Sequence, residues 1–233
     1  MSELANTAIW GKFFDANKSL MDHDNGFNLV LEKFVSVMND LAERGVTSPV
    51  LEIGVNWAGT AKTFFDVLIE MRRPNWFITV DPYGAIPYHN GCGTHDVSVY
   101  TNERYRSSVA LLTETARINQ ANYVHYKMSS EDFFQAFPCL KIYDDSKTYP
   151  LERFSFVYLD GSHDPEVVKK EVRFFASRLE QGGAIVIDDY EGGRFHGFWE
   201  EFLNEHWNLC TNKTDIPQRF VLEYKNSKPL VLK

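Results

Sequence analysis

No apolar run in this chain of 233 residues approaches the roughly 20 residues that a membrane-spanning helix needs. The first residues also lack the basic, apolar and small-residue order of a secretory signal. The expected location is therefore the cytoplasm, with no membrane partner. Cysteine is scarce: Cys92, Cys139 and Cys210 are odd in number, far apart and without CxxC spacing. That pattern argues against a disulfide framework and a cysteine zinc site, and it predicts reduced thiols, two of them packed and Cys92 in a loop. Positive charge is in deficit as well, with 24 Lys and Arg against 32 Asp and Glu, a net charge of −8. A phosphate backbone or an anionic membrane surface would be repelled overall. The basic pairs Arg72-Arg73 and Lys169-Lys170 read as solvated helix faces, because no basic stripe with interleaved aromatics accompanies them. Nucleic acid is not an expected partner. Repeats, low-complexity tracts and linkers are missing too, so residues 1–233 are expected to form a single domain.

What is present is an alternation of short apolar runs with helical periodicities. Trp10, Phe13 and Phe14 lie in an N-terminal helical segment, 1–45, expected to pack on the domain edge, with a lid or a homodimer contact as the alternative. Phe27, Val30, Leu31, Phe34, Val35, Met38 and Leu41 recur at helical spacing and end near Gly45. Five apolar runs follow, at Val50 to Ile53, Trp76 to Val80, Tyr123 to Tyr126, Phe154 to Leu159 and Ala184 to Ile187. Helical patterns separate them, the one after Pro165 turning Val168, Val172, Phe175 and Leu179 inward and closing on Gln181-Gly182-Gly183. A terminal antiparallel pair is expected from Trp207 to Thr211 and Phe220 to Tyr224. The fold class this predicts is α/β, a doubly wound, mostly parallel Rossmann-like sheet with a C-terminal antiparallel strand pair. Residues 83–100, rich in Gly, Pro, His and Tyr, read as a substrate loop because they exceed ordinary loop length.

The stretch Leu51 to Thr60, LEIGVNWAGT, reads as strand, glycine turn and helix N-terminus. Such a junction offers unpaired N–H groups at the carboxyl edge of a sheet. Gly54, Asn56 and Gly59 have the spacing of the dinucleotide fingerprint, but Asn56 stands where a glycine would let the backbone approach a pyrophosphate. An adenosyl ligand without phosphate is the easier fit, which argues against an oxidoreductase on a dinucleotide. Asp81, at the end of the second run, suits a ribose diol.

LEIGVNWAGT, TVDPYG, MSSEDFF, VYLDGSHDPE and GGAIVIDDY occur in this order from about Val50 to Tyr190. Together they resemble the motifs of class I S-adenosylmethionine-dependent methyltransferases, in particular the small O-methyltransferases of the catechol, caffeoyl-CoA and macrocin types. The resemblance implies S-adenosylmethionine as cofactor and a small-molecule acceptor. Gly54 and Gly59 would shape the loop around the methionine moiety, supported by Glu52 and Thr60. Asp81 would hold the ribose, and Ser130 would lie beside the adenine with Ser129 as its neighbour. A helix N-cap at Ser129-Ser130 is compatible with that role. No Pro-Pro-aromatic motif follows the fourth run, where LDGSHD stands, so a nucleic-acid methyltransferase is disfavoured.

Asp160 ends the fourth run, and Asp188 and Asp189 end the fifth. Neighbouring strands of a doubly wound sheet finish at one edge, so three carboxylates would converge there and repel one another unless a cation sat among them. Oxygen donors suit Mg²⁺, with Mn²⁺ as the alternative, and the metal-dependent O-methyltransferases have this arrangement. The competing reading is a helix cap at Asp188-Asp189 and an Asx turn at Asp160. His163, three residues after Asp160, is a candidate general base beside it, since imidazole titrates near neutrality. The related enzymes place a lysine at this spacing or an acid one residue earlier, so a supporting or substrate-contact role for His163 stands beside that of base. The function expected is methyl transfer to a hydroxyl of a small metabolite or sugar with a divalent ion. A metal-independent N- or O-methyltransferase and a non-catalytic protein of the same fold are the alternatives.

Overall fold

A computed structural model describes residues 12–13, 15–20, 27–84, 101–144, 147–188, 209–212 and 220–224. Its elements in chain order are α1 (Phe27–Glu43), β1 (Val50–Ile53), α2 (Gly59–Glu70), β2 (Phe77–Val80), α3 (Asn102–Asn119), β3 (Tyr123–Tyr126) and α4 (Ser130–Ala136). The hairpin strands β4 (Lys141–Asp144) and β5 (Lys147–Pro150) come next. Then follow β6 (Phe154–Leu159), α5 (Pro165–Ala176), β7 (Leu179–Ile187), β8 (Leu209–Asn212) and β9 (Phe220–Tyr224). Seven strands form one sheet in the order β3-β2-β1-β6-β7-β9-β8, parallel through β7 and antiparallel at β9 and β8. The doubly wound sheet and its terminal antiparallel pair are as expected.

Period-two alternation divides the core. Val50, Phe77, Phe156, Ala184 and Val186 face α1, α2 and α3, where Phe34, Phe64 and Phe156 pack ring against ring. Leu51, Ile78, Val157, Ile185 and Ile187 face α4 and α5 through Phe133, Val172 and Phe175. β1, β2, β6 and the Ala184–Ile187 end of β7 are buried on both faces, which is why those runs are apolar nearly throughout, whereas β3 at the sheet edge is half-buried. Lys33 on α1 forms an ion pair with Glu223 on β9 at the rim of this core.

Two local details differ from the sequence reading. Leu179 opens β7 instead of closing α5, and Gln181-Gly182-Gly183 lies inside that strand. A Cβ at Gly183 would stand 2.7 Å from the Ser155 carbonyl oxygen, so the glycine permits the irregular pairing of β6 with β7 near Phe154 and Phe156. Separately, β4 and β5 pair antiparallel as a hairpin, with Tyr143 largely exposed on it. Cys139 is exposed, not packed, because it ends a short 3-10 turn.

The described part of the N-terminal segment packs on α2. The Asn17 side-chain amide donates to Asp66 Oδ2 at 3.0 Å, and Lys12 pairs with Glu70 at 3.1 Å. Of the substrate-loop range 83–100, all but Tyr83 and Gly84 lie outside the described residues.

Candidate functional site

The sheet continues to pair one residue past its strands. Gly54 N–H donates to the Val80 carbonyl at 3.0 Å, Asp81 N–H to Tyr126 at 3.2 Å, Asp160 N–H to Ile53 at 2.8 Å and Asp188 N–H to Leu159 at 2.9 Å. These bonds bring Gly54, Asp81, Asp160 and Asp188 to one edge, although 134 positions separate the first from the last. It is the carboxyl edge of the parallel strands, where open α/β sheets take their ligands.

Gly54 has φ of +84°, and a Cβ there would lie 2.0 Å from the Asp160 carbonyl oxygen. The turn after β1 therefore presses directly against the start of the loop after β6, and only glycine fits. Asn56 and Ala58 follow in left-handed conformations, as does Tyr83 after β2, with φ of 48°, 64° and 42°. Three of the five non-glycine residues with positive φ among those described thus line this edge, a concentration of strain typical of ligand sites. Gly59 is buried as the first residue of α2, and Thr60, half-buried, is the second.

Asp81, 2% exposed, fastens the two turns together. Its Oδ2 accepts from Val55 N–H at 2.7 Å and, more distantly, from Asn56 N–H at 3.4 Å, while Oδ1 accepts from Tyr83 N–H at 2.8 Å. Three donors fill three of the roughly four lone-pair sites of a carboxylate, leaving capacity for about one more. Burial pushes this carboxyl above its ordinary pKa, opposed by the three N–H groups and by the charge of Arg104.

Glu52 lies one residue further inside β1, 1% exposed, between Thr79 of β2 and Tyr158 of β6 in the register. Neither of its oxygens has a hydrogen-bond partner among the described residues. Burial, and then the charges of Asp81 and Asp188, hold its pKa well above the ordinary carboxylate value. The inner wall of the site is therefore lined by carboxyl groups.

After β3, Ser129 is the N-cap of α4. Its hydroxyl accepts from Asp132 N–H at 3.0 Å and donates to Asp132 Oδ2 at 2.7 Å. Ser130 is the first helical residue, beside the fully buried Glu171 of α5. Burial pushes the Glu171 carboxyl up to about 7, an effect the Ser130 hydroxyl partly offsets.

Asp160 and Asp188 stand on neighbouring strand ends, both half-buried. Asp189, the third acid expected there, lies outside the described residues, and among those described no three His, Cys, Asp or Glu side chains gather as a metal would need. His163, half-buried, shares the short connection from β6 to α5 with Asp160, just before the α5 N-cap Asp164.

Sequence reasoning missed Arg104 and Glu171. Arg104 donates from Nη1 to Asn56 Oδ1 at 2.6 Å, so the Asn56 side chain is turned to α3. Glu171 had a signal: it lies three residues after Val168 and four before Phe175, on the apolar face of α5.

A family model described as a methyltransferase domain matches residues 51–190. No curated relative matches the chain in sequence. Among solved structures the chain is similar to the O-methyltransferase NovP, at 14% identity and a TM-score of 0.57, covering 84% of this chain and 79% of that one. It is similar to an O-methyltransferase from Bacillus cereus in complex with SAH, at 11% identity and a TM-score of 0.51, over 92% and 89% of the two chains. The O-methyltransferase TomG from Streptomyces achromogenes, in complex with SAM, is similar at 13% identity and a TM-score of 0.50, over 97% and 91%. At these identities the likeness is one of fold.

Proposed function

The chain belongs to the methyltransferase-domain family, and on that premise we propose that it transfers a methyl group from S-adenosylmethionine to a hydroxyl of a small metabolite or sugar. The observation that carries the cofactor is the set of carboxyl groups around the glycine turn. Glu52, Asp81, Asp160 and Asp188 surround or adjoin the glycine turn, and Glu52 has no hydrogen-bond partner among the described residues. A dinucleotide would bring two phosphate anions into this acidic wall, whereas S-adenosylmethionine brings a sulfonium and an ammonium. Two of the solved structures of this fold are complexes with SAH or SAM, which supports the same choice.

The sulfonium supplies an activated methyl group. The chain's own work is then to hold the ligand, align the acceptor and take up the hydroxyl proton. Gly54, Gly59, Glu52 and Thr60 would form the turn around the methionine end, Asp81 would accept from the ribose, and Ser129 and Ser130 would border the adenine. His163 would receive the proton as the acceptor oxygen bonds to the methyl carbon and the carbon–sulfur bond breaks, leaving the thioether.

Asp160 and Asp188 are oxygen donors on adjacent strand ends, a set that suits Mg²⁺ or Mn²⁺, with Asp189 as the third. A divalent ion held there would lower the pKa of a bound acceptor hydroxyl. The test is turnover of methyl-labelled S-adenosylmethionine with a panel of hydroxyl-bearing acceptors, with and without chelator. Label transfer that stops in chelator and returns with Mg²⁺ is expected, together with loss of that response in Asp188→Asn. Transfer unaffected by chelator would sink the metal and leave the metal-independent alternative.

A further inference from the structure

Asn56 is held from three sides. Arg104 Nη1 donates to its side-chain oxygen at 2.6 Å, and its carbonyl accepts from Tyr83 Oη at 3.0 Å and from Ser108 Oγ at 2.8 Å. Arg104 and Ser108 both come from the first turns of α3, whose N-cap is Thr101. The Arg104 guanidinium carbon also stands 4.1 Å from the Trp57 ring centroid, a cation–π contact on a partly exposed tryptophan. One side chain thus grips two consecutive residues of the glycine turn, and its charge acts to lower the Asp81 pKa.

A planar guanidinium suits this position because one arm can bond an amide while its face lies on a ring. The grip matters because Asn56 and Ala58 hold left-handed conformations that an unsupported turn would leave. Their neighbour Val55, with Asn56, supplies the N–H groups that fix Asp81. A turn organised before the ligand arrives loses less entropy when it binds.

We propose that Arg104 is a positioning residue of the cofactor site, fixing Asn56 and Trp57 so that the glycine turn and Asp81 are set to receive an adenosyl ligand. This rests on the S-adenosylmethionine reading above. Arg104 therefore governs cofactor affinity through Asn56, not through contact with the acceptor.

The experiment is calorimetric titration of S-adenosylhomocysteine into the full chain and into Arg104→Met, Arg104→Lys, Asn56→Ala and the Asn56→Ala/Arg104→Met double variant. Arg104→Met is expected to weaken binding at least tenfold with little change in the melting temperature of the unliganded protein. Arg104→Lys should recover part of that loss, and the double variant should bind no more weakly than the weaker single variant, because both remove one interaction. Binding by Arg104→Met within twofold of wild type, fully additive losses, or no recovery by lysine would each overturn the proposal. Should Arg104→Met not fold, Arg104→Lys carries the test: about threefold weaker binding supports it and unchanged binding overturns it. A wild-type chain that binds no S-adenosylhomocysteine would overturn the cofactor reading and this inference with it. Wild-type binding with an equally tight Arg104→Met would overturn this inference alone.

Discussion

The Asp81 carboxylate accepts the Val55 N–H at 2.7 Å, so the acid that ends β2 closes the turn that follows β1. Asp81→Asn would replace one acceptor oxygen by a donor, facing either Val55 N–H or Tyr83 N–H. A buried donor left without an acceptor costs about 1–3 kcal/mol. Asp81→Asn should therefore unfold at lower urea and bind S-adenosylhomocysteine at least tenfold more weakly. Wild-type values for both would remove Asp81 from the site.

Gly54→Ala tests the contact between the β1 turn and Asp160. The added carbon would overlap the Asp160 backbone in a left-handed conformation. A loss of about 3 kcal/mol or more is expected, read as a lower denaturation midpoint or as failure to fold. A midpoint like that of wild type would show that the two loops do not touch as described.

Glu171 gives a pH dependence with a definite sign. Its folded pKa, about 7, lies above the ordinary 4.5, so the folded state keeps the proton longer than the unfolded chain. This contribution is fully present below pH 4.5 and is lost as pH rises toward 7, then stays level, for a total of about 3 kcal/mol. Glu171→Gln should remove this slope, so the variant gains stability over wild type at pH 8 relative to pH 4.5. Parallel stability curves for the two proteins across that window would contradict the buried, protonated Glu171.

The fold was legible because the central strands of this parallel sheet are buried on both faces, and runs such as Phe154 to Leu159 have few other uses. The strand-end acids were legible for a related reason: Asp81, Asp160 and Asp188 follow those runs directly, and parallel pairing brings such positions together. Side-chain links across the sheet edge were not. Nothing local to Arg104 shows that it meets Asn56, 48 positions earlier. The glycine pair at 182–183 misled because a helix cap and a strand irregularity make the same conformational demand. Glu171 was hidden by its type, since a charged residue in a KKEVRFF run reads as surface even at core spacing.

The most direct test of the central claim is calorimetry of the wild-type chain with S-adenosylhomocysteine and, separately, with NADH. One-site saturable binding of S-adenosylhomocysteine and none of NADH is the expected result. Saturable binding of NADH with no response to S-adenosylhomocysteine would contradict the assignment of the acidic turn to a sulfonium cofactor.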